Sequence, residues 1–220
     1  MNIIPQDALN IATRLAITSG IRVFQGARMA ETDAAHVSKL LDFMDPPPRA
    51  VIVDAGCGIG EVARLMREER ADLNFILLNN NAMQLGLAPA GMTALLADMH
   101  DIPLSGGSVD GIMFCYALCH ADFDLALAEA ARIVRHGGFL FVYDYERIGG
   151  TNDLFAERLY ATAISVHAMS EIARRHGWSI HNHVNPLADD SLFRAAYNND
   201  DEYDKIFADL RLTMWRAERR

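Results

Sequence analysis

The chain has 220 residues, of which 51% are apolar, so a single domain with a full hydrophobic core is expected. Its net charge of −9 argues against a nucleic-acid-binding surface, because such a surface needs clustered Lys and Arg to neutralise phosphates. The chain has no run of 18 apolar residues, no signal-peptide pattern and no zinc-type cysteine spacing. We therefore expect a cytoplasmic protein with no membrane span and no metal site.

The first predicted unit is a helical segment over residues 1–45. Its second half, 31–44, carries apolar residues at helical spacing, namely Val37, Leu40, Leu41 and Met44. The sequence "DPPP" at 45–48 then ends the helix, because proline blocks helix continuation.

From residue 46 to 220, short apolar runs alternate with helical segments. The predicted strands are 50–54, 75–79, 94–98, 109–116, 137–145, 178–184 and 211–217, with the last run closing the sheet. The predicted helices are 60–70, 124–136 and a segment that continues from 154 onward. This alternation favours one α/β domain with a doubly wound, seven-stranded, mostly parallel sheet.

The sharpest motif is "VIVDAGCGIGE" at 51–61, in which a buried strand ends in Asp54 and three glycines lead into a helix. Glycines allow a tight turn and close approach of a ligand, and the helix N-terminus offers unpaired N–H groups. An acid before the glycines repels a pyrophosphate and attracts an ammonium group, which fits the methionine end of S-adenosylmethionine. The alternative is that the glycines only shape a strand-to-helix turn.

With this motif, residues 45–217 resemble the class I S-adenosylmethionine-dependent methyltransferases, which share a Rossmann-like fold. The segments "LNNNAMQ" (78–84), "YALCHAD" (116–122) and "ARIVRHGGFLFVYDYERIGGTND" (131–153) are similar to segments of the sterol side-chain and geranyl diphosphate C-methyltransferases. The resemblance implies a C-methyltransferase acting on an isoprenoid alkene.

The resemblance also implies a set of cofactor-binding residues, with S-adenosylhomocysteine as the product. Asn79 replaces the acid that usually binds the ribose hydroxyls, and its amide could accept one hydroxyl and donate to the other. One of the three consecutive asparagines could instead cap a helix. Asp98 and Met99 are expected beside the adenine. The predicted set is Asp54, Gly56, Cys57, Gly58, Gly60, Asn79, Asn80, Gln84, Asp98, Met99 and Cys115.

Methylation of an alkene leaves a carbocation, so the site needs aromatic faces, a carboxylate and a base. His120 is the candidate base, because histidine titrates near neutrality. The other candidate catalytic residues are Tyr116, Tyr143, Asp144 and Tyr145, although core packing is expected for at least one of these tyrosines. Tyr116 stands where the related C-methyltransferases have a Glu; a phenol can face a cation but cannot act as the base.

The predicted acceptor is a small isoprenoid, which could be a prenyl diphosphate. A diphosphate would need arginines or Mg²⁺ near the cavity mouth, and the N-terminal segment offers Arg22, Phe24 and Arg28 as substrate-binding candidates. O- or N-methylation of another small molecule stays open, as does a protein of this fold that acts without methyl transfer, such as a cyclase or a ligand-binding module. The oligomeric state stays open too, and a homo-oligomer is compatible with the sequence.

Overall fold

The computed structural model describes residues 4–22, 27–151, 153–196 and 200–220. Its strands are β1 (Val51–Ala55), β2 (Asn74–Asn79), β3 (Thr93–Leu96), β4 (Val109–Cys115), β5 (Val134–Arg147), β6 (Trp178–Val184) and β7 (Leu210–Arg219). Its helices are α1 (Gln6–Thr18), α2 (Asp33–Met44), α3 (Glu61–Glu69), α4 (Ala82–Leu85), α5 (Phe123–Ile133), α6 (Asp153–Leu159), α7 (Val166–Arg175), α8 (Ser191–Ala196) and α9 (Asp200–Phe207). A 3₁₀ turn covers Leu118–His120.

The seven strands form one sheet in the order β3-β2-β1-β4-β5-β7-β6. Neighbouring strands from β3 to β5 are parallel, and β7 is antiparallel to both β5 and β6. The strand order reverses direction at β1, so the carboxyl ends of β1 and β4 flank a crevice where ligands bind in open α/β sheets. The predicted doubly wound, mostly parallel sheet is confirmed.

The last strand does not close the sheet as expected, because β7 lies between β5 and β6. Its central residues, including Met214 and Trp215, are buried, which is typical of an interior strand. The edge strand is β6, whose residues after Trp178 are exposed or partly exposed and whose register shifts between Ile180 and Asn182. An antiparallel strand can pair with a neighbour on each side. The alternating apolar pattern alone does not specify which strands those neighbours are.

The amphipathic pattern of α2 is confirmed, since all four predicted apolar residues are buried against β1 and its neighbours. The opposite face of the sheet is covered by α5 and α7, whose apolar residues pack around Trp178 and Trp215. Within the described ranges, no helix is both long and apolar enough to cross a bilayer.

The helix expected from residue 154 onward is interrupted. Helix α6 ends at Leu159, and α7 begins only at Val166. The intervening residues include Tyr160 with a φ of +52°, and the Thr162 N–H donates to the Cys119 carbonyl over 2.7 Å. Backbone groups of this segment bind the 3₁₀ turn and the end of β5 instead of each other, which is why the helix does not continue.

Candidate functional site

The loop between β1 and α3 is a tight turn built on glycine. Gly56 has a φ of +76°, and a Cβ at this position would lie 2.5 Å from the Ala117 Cβ. Gly60 has the same φ, and a Cβ there would lie 2.7 Å from the Leu77 Cδ1. Both positions therefore require glycine for conformation and for space. The loop consequently approaches the neighbouring strands closely and leaves room above the sheet.

A cavity of about 420 Å³ opens above this loop at the carboxyl ends of the central strands. This volume lies in the range of small-molecule sites. Helix α1 forms one wall with apolar residues such as Leu9, Ala12 and Ala16. The predicted cofactor-binding residues that line the cavity are Asp54, Gly56, Cys57, Gly58, Asn79, Asn80, Gln84, Asp98, Met99 and Cys115. Gly60 shapes the turn but does not line the cavity.

Asp54 is a buried carboxylate on the cavity wall. Only 2% of it is exposed, and its Oδ2 has no hydrogen-bond partner among the described residues. Burial raises its pKa to about 7, because a carboxylate without a partner is poorly solvated there. A ligand that brings an ammonium or another donor to Oδ2 would supply the missing partner. This unpaired oxygen fits the amino group of S-adenosylmethionine.

The side chain of Asn79 is bound to the protein itself. Its Nδ2 donates to the Gln84 Oε1 over 2.8 Å and to the Gly58 carbonyl over 3.2 Å. Its Oδ1 accepts from the Asn81 N–H over 3.0 Å. Because both amide hydrogens are used, only an acceptor lone pair remains for a ribose hydroxyl. In this geometry Asn79 can accept from one hydroxyl but does not donate to the other.

The other amides fasten helix α1. Asn81 caps α4, since its Oδ1 accepts from the Gln84 N–H over 2.8 Å, so one of the three asparagines is indeed a helix cap. The Asn81 Nδ2 donates to the Gln6 Oε1 over 2.7 Å and to the Asn10 Oδ1 over 2.8 Å. The Gln84 Nε2 donates to the Thr13 Oγ1 over 2.8 Å. We call Asn79, Asn81, Gln84, Gln6, Asn10 and Thr13 the amide cluster. It ties α1 to the end of β2.

Asp98 and Met99 lie on the adjacent wall with His100. The Asp98 Oδ1 accepts from the His100 backbone N–H over 2.9 Å and lies 2.6 Å from the His100 Nδ1. The His100 Nε2 accepts from the Asp122 N–H over 3.0 Å, so the ring proton is on Nδ1. His100 thereby orients the Asp98 carboxylate, the predicted partner of the adenine amino group.

Tyrosines form the opposite end of the cavity. Tyr116 follows β4 with a φ of +51°, a conformation that is uncommon for a residue with a side chain. Its ring centroid lies 5.0 Å from that of Tyr143 and 5.4 Å from that of Tyr145. Tyr116 and Tyr145 line the cavity, whereas Tyr143 is fully buried and its hydroxyl donates to the Ala27 carbonyl. Tyr143 thus packs in the core, as expected for at least one tyrosine.

His120 lines the cavity beside these tyrosines. Its Nδ1 lies 3.1 Å from the Tyr160 carbonyl oxygen. A carbonyl only accepts, so Nδ1 carries the proton in the neutral ring and Nε2 keeps its lone pair. Asp144 is buried behind the turn, where its Oδ2 accepts from the Cys119 N–H over 2.9 Å and burial raises its pKa. Asp144 therefore fixes the turn that presents His120 rather than lining the cavity itself.

The three predicted substrate-binding residues have different positions. Arg22 lines the cavity, and its Nε lies 3.5 Å from the Glu61 Oε1. Arg28 forms an ion pair with Asp33 and does not line the cavity. Phe24 lies outside the described residues. Of the two described arginines, Arg22 lines the cavity and Arg28 does not.

Sequence reasoning missed several residues of the site. The amide cluster includes Gln6, Asn10 and Thr13, which recur at positions i, i+4 and i+7 and so share one face of α1. That polar stripe, read together with the amides at 79–84, was a usable signal. His100 and Phe155 also line the cavity, but isolated residues of this kind carry no pattern that separates them from core or surface positions.

Residues 53–142 match the family model described as a methyltransferase domain. This range begins in β1 and ends in β5, so it spans the glycine loop, the amides at the end of β2 and the turn that carries His120. This part of the chain is therefore similar to methyltransferase domains.

Among curated proteins, the chain is 26% identical over 114 residues to a ubiquinone/menaquinone biosynthesis C-methyltransferase of Acidiphilium cryptum. That match covers 48% of this chain and 46% of the relative. The chain spans less than half the length of the curated relatives it matches, with shares of 43%, 46% and 26%.

Solved structures share the fold of this chain at low sequence identity. The geranyl diphosphate C-methyltransferase of Streptomyces coelicolor, solved with Mg²⁺, geranyl diphosphate and S-adenosylhomocysteine, has a TM-score of 0.75 at 15% identity, covering 86% of this chain and 79% of that one. The cyclase SpnF has a TM-score of 0.79 at 14% identity, covering 96% of this chain and 93% of that one. These likenesses establish the fold, which carries more than one reaction.

Proposed function

We propose that this protein transfers the methyl group of S-adenosylmethionine to an alkene carbon of a small isoprenoid. The observation that carries the proposal is the arrangement at the tyrosine end of the cavity. There, the aromatic faces of Tyr116 and Tyr145 lie next to His120, whose Nε2 keeps its lone pair. Aromatic faces favour a cation, and the lone pair can take a proton, which are the two needs of alkene methylation.

The residues around the glycine loop would hold the cofactor. Asp54 would offer its unpaired carboxylate oxygen to the amino group, Asn79 would accept from one ribose hydroxyl, and Asp98 would accept from the adenine amino group. When bound, the cofactor supplies an electrophilic methyl group on a sulfonium. At this end, the chain would orient the cofactor. Helix α1, which belongs to the N-terminal segment 1–45 and lines the cavity, would exclude water.

At the tyrosine end, each residue has a separate role in the proposed reaction. The alkene π electrons would form the new bond to the methyl carbon as the methyl–sulfur bond breaks, which would release S-adenosylhomocysteine and leave a positive charge on the adjacent carbon of the acceptor. Tyr116 and Tyr145 stabilise that charge through their ring faces. The His120 Nε2 then removes a proton from a neighbouring carbon, the C–H electrons restore the double bond, and His120 becomes a cation. Asp144 positions His120 through the Cys119 backbone.

Methyl-labelled S-adenosylmethionine tests the proposal. The purified protein is incubated with the labelled cofactor and a panel of isoprenoids, and label is sought on carbon in the organic extract. Label on an alkene carbon is the expected result. Absence of label on every isoprenoid, while the protein still binds S-adenosylhomocysteine, contradicts the proposed reaction.

Two other functions remain candidates. The His120 lone pair could equally take a proton from a hydroxyl or amine, so O- or N-methylation of a small molecule is the second candidate. The fold shared with the cyclase SpnF keeps a reaction without methyl transfer as a further alternative. Formation of S-adenosylhomocysteine distinguishes them, because methylation of any acceptor produces it and cyclisation does not.

A further inference from the structure

We propose that the acceptor is an uncharged isoprenoid and not a prenyl diphosphate. This inference rests on the proposed function and names the charge class of its acceptor. It follows from the partners of the arginines at the cavity and from the character of the surrounding walls.

Both arginines that line the cavity are already paired with carboxylates. The Arg22 Nε lies 3.5 Å from the Glu61 Oε1, and the Arg158 Nε lies 2.9 Å from the Glu202 Oε1. Glu157 adds a second carboxylate oxygen 3.5 Å from the Arg158 Nη1. A diphosphate would have to displace these carboxylates before it could bind either guanidinium in the bidentate manner that arginine favours.

The remaining charges of the cavity oppose an anion. Glu61 and Asp98 line it, and Glu157 and Glu202 pair with Arg158, so the carboxylates outnumber the two arginines even without the buried Asp54. The side chains outside the described ranges include no Lys, Arg or His. A cavity with this balance suits a cationic cofactor and repels a second ligand that carries two or three negative charges.

The walls beside the tyrosines are apolar. Helix α6 contributes Leu159 and Phe155, whose ring centroid lies 5.7 Å from that of Tyr145, and Leu9, Ala12 and Ile17 of α1 line the same cavity. These side chains can cover a hydrocarbon along its length without leaving a polar group unpaired. An uncharged isoprenoid therefore matches both the surface and the electrostatics of this end.

Matched pairs of acceptors test the inference. Geraniol and geranyl diphosphate share one carbon skeleton, as do farnesol and farnesyl diphosphate, and each is assayed with the labelled cofactor with and without Mg²⁺. We expect kcat/KM to be at least about tenfold higher for the alcohol of the better pair. Equal or better use of the diphosphate overturns the inference and leaves the proposed function intact, whereas no label on either member, with the cofactor bound, contradicts the proposed function itself.

Calorimetric binding to the protein saturated with S-adenosylhomocysteine gives a readout that is independent of turnover. We expect the alcohol to bind and the diphosphate to bind at least about tenfold more weakly, with or without Mg²⁺. Tighter binding of the diphosphate would overturn the inference even in the absence of catalysis.

A charge variant tests whether the ion pair at Arg158 excludes the diphosphate. Glu202→Gln removes one carboxylate partner of Arg158, so geranyl diphosphate should inhibit this variant several-fold more strongly than the parent protein. Glu171→Gln is the matched control, because Glu171 is an exposed residue of α7 that pairs with His167 and does not line the cavity. Equal inhibition of both variants would overturn the role given to this ion pair.

Discussion

The two ends of the cavity are formed by different kinds of side chain. At the β2 end, the amide cluster joins two helices and a strand through neutral hydrogen bonds. At the β4 end, tyrosines pack ring against ring around a histidine that is fixed by a backbone carbonyl. The first end is specific in its hydrogen bonding and would hold the cofactor, whereas the second end is largely apolar and would hold the acceptor. The amide hydrogen bonds and the ring contacts involve different residues, so each end can be tested with its own substitutions.

The largest expected effect comes from a substitution at the tyrosine end, which should lower the rate of methyl transfer and leave cofactor binding unchanged. His120→Ala should lower the rate of methyl transfer by roughly 10²- to 10⁴-fold, because it removes the proposed base. The Kd for S-adenosylhomocysteine, measured by calorimetry, should stay unchanged. His181→Ala serves as the control, since His181 is exposed on β6 and does not line the cavity. A full rate in His120→Ala would remove this histidine from the mechanism.

A second substitution, Asp54→Asn, should weaken cofactor binding and raise the stability of the folded protein at neutral pH. Burial raises the pKa of Asp54 to about 7 from 3.8, so the folded protein holds a proton that the unfolded chain has lost. The stability linked to Asp54 is therefore complete below pH 4 and declines as the pH rises to about 7, by roughly 4 kcal/mol in total. Asp54→Asn should remove this decline.

Urea unfolding of the ligand-free protein between pH 5 and pH 8 measures the effect. We expect Asp54→Asn to be more stable than the parent at pH 8, and the difference should shrink toward pH 5. The variant should also bind S-adenosylmethionine more weakly, because the amide cannot pair with the amino group as an anion. A parallel pH dependence in both proteins would show that Asp54 does not carry this linkage.

The third and smallest effect concerns Asn79→Asp, which introduces the acid that class I methyltransferases usually have at this position. Asn79→Asp should weaken cofactor binding by about tenfold, because it leaves the Gln84 Oε1 and the Gly58 carbonyl without their donor. It should also speed hydrogen exchange in α1. Asn74→Asp adds the same charge at the exposed start of β2 and should change neither quantity. Tighter cofactor binding in Asn79→Asp would mean that the ribose contact outweighs the amide cluster.

The glycine loop could be predicted from the sequence and the pairing within the amide cluster could not, because the first follows from local rules and the second from contacts between distant residues. The glycine loop follows from local rules, since Gly56 and Gly60 need their φ angles whatever surrounds them. The sheet and α2 follow from the periodicity of apolar residues. The partners of Asn81 and Gln84 lie 71 or more residues away in α1, so their pairing depends on the tertiary fold.

The interruption after α6 escaped prediction for a related reason. The residues from Tyr160 to Thr162 have an acceptable helical composition, and they leave the helix because the 3₁₀ turn at His120 binds their backbone. The position of β7 inside the sheet likewise depends on which strands it meets. Local patterns specify elements, and contacts between distant residues decide how those elements end and where they lie.

The neutral character of the amide cluster determines how the N-terminal segment responds to salt. Amide and hydroxyl hydrogen bonds carry no net charge, so ionic strength leaves the attachment at Gln6, Asn10 and Thr13 unchanged. The ion pair between Arg22, which is 56% exposed, and Glu61 lies beyond the opposite end of α1, and salt screens it. We therefore expect rising salt to weaken the contact between Arg22 and Glu61 while the amide end of α1 stays attached.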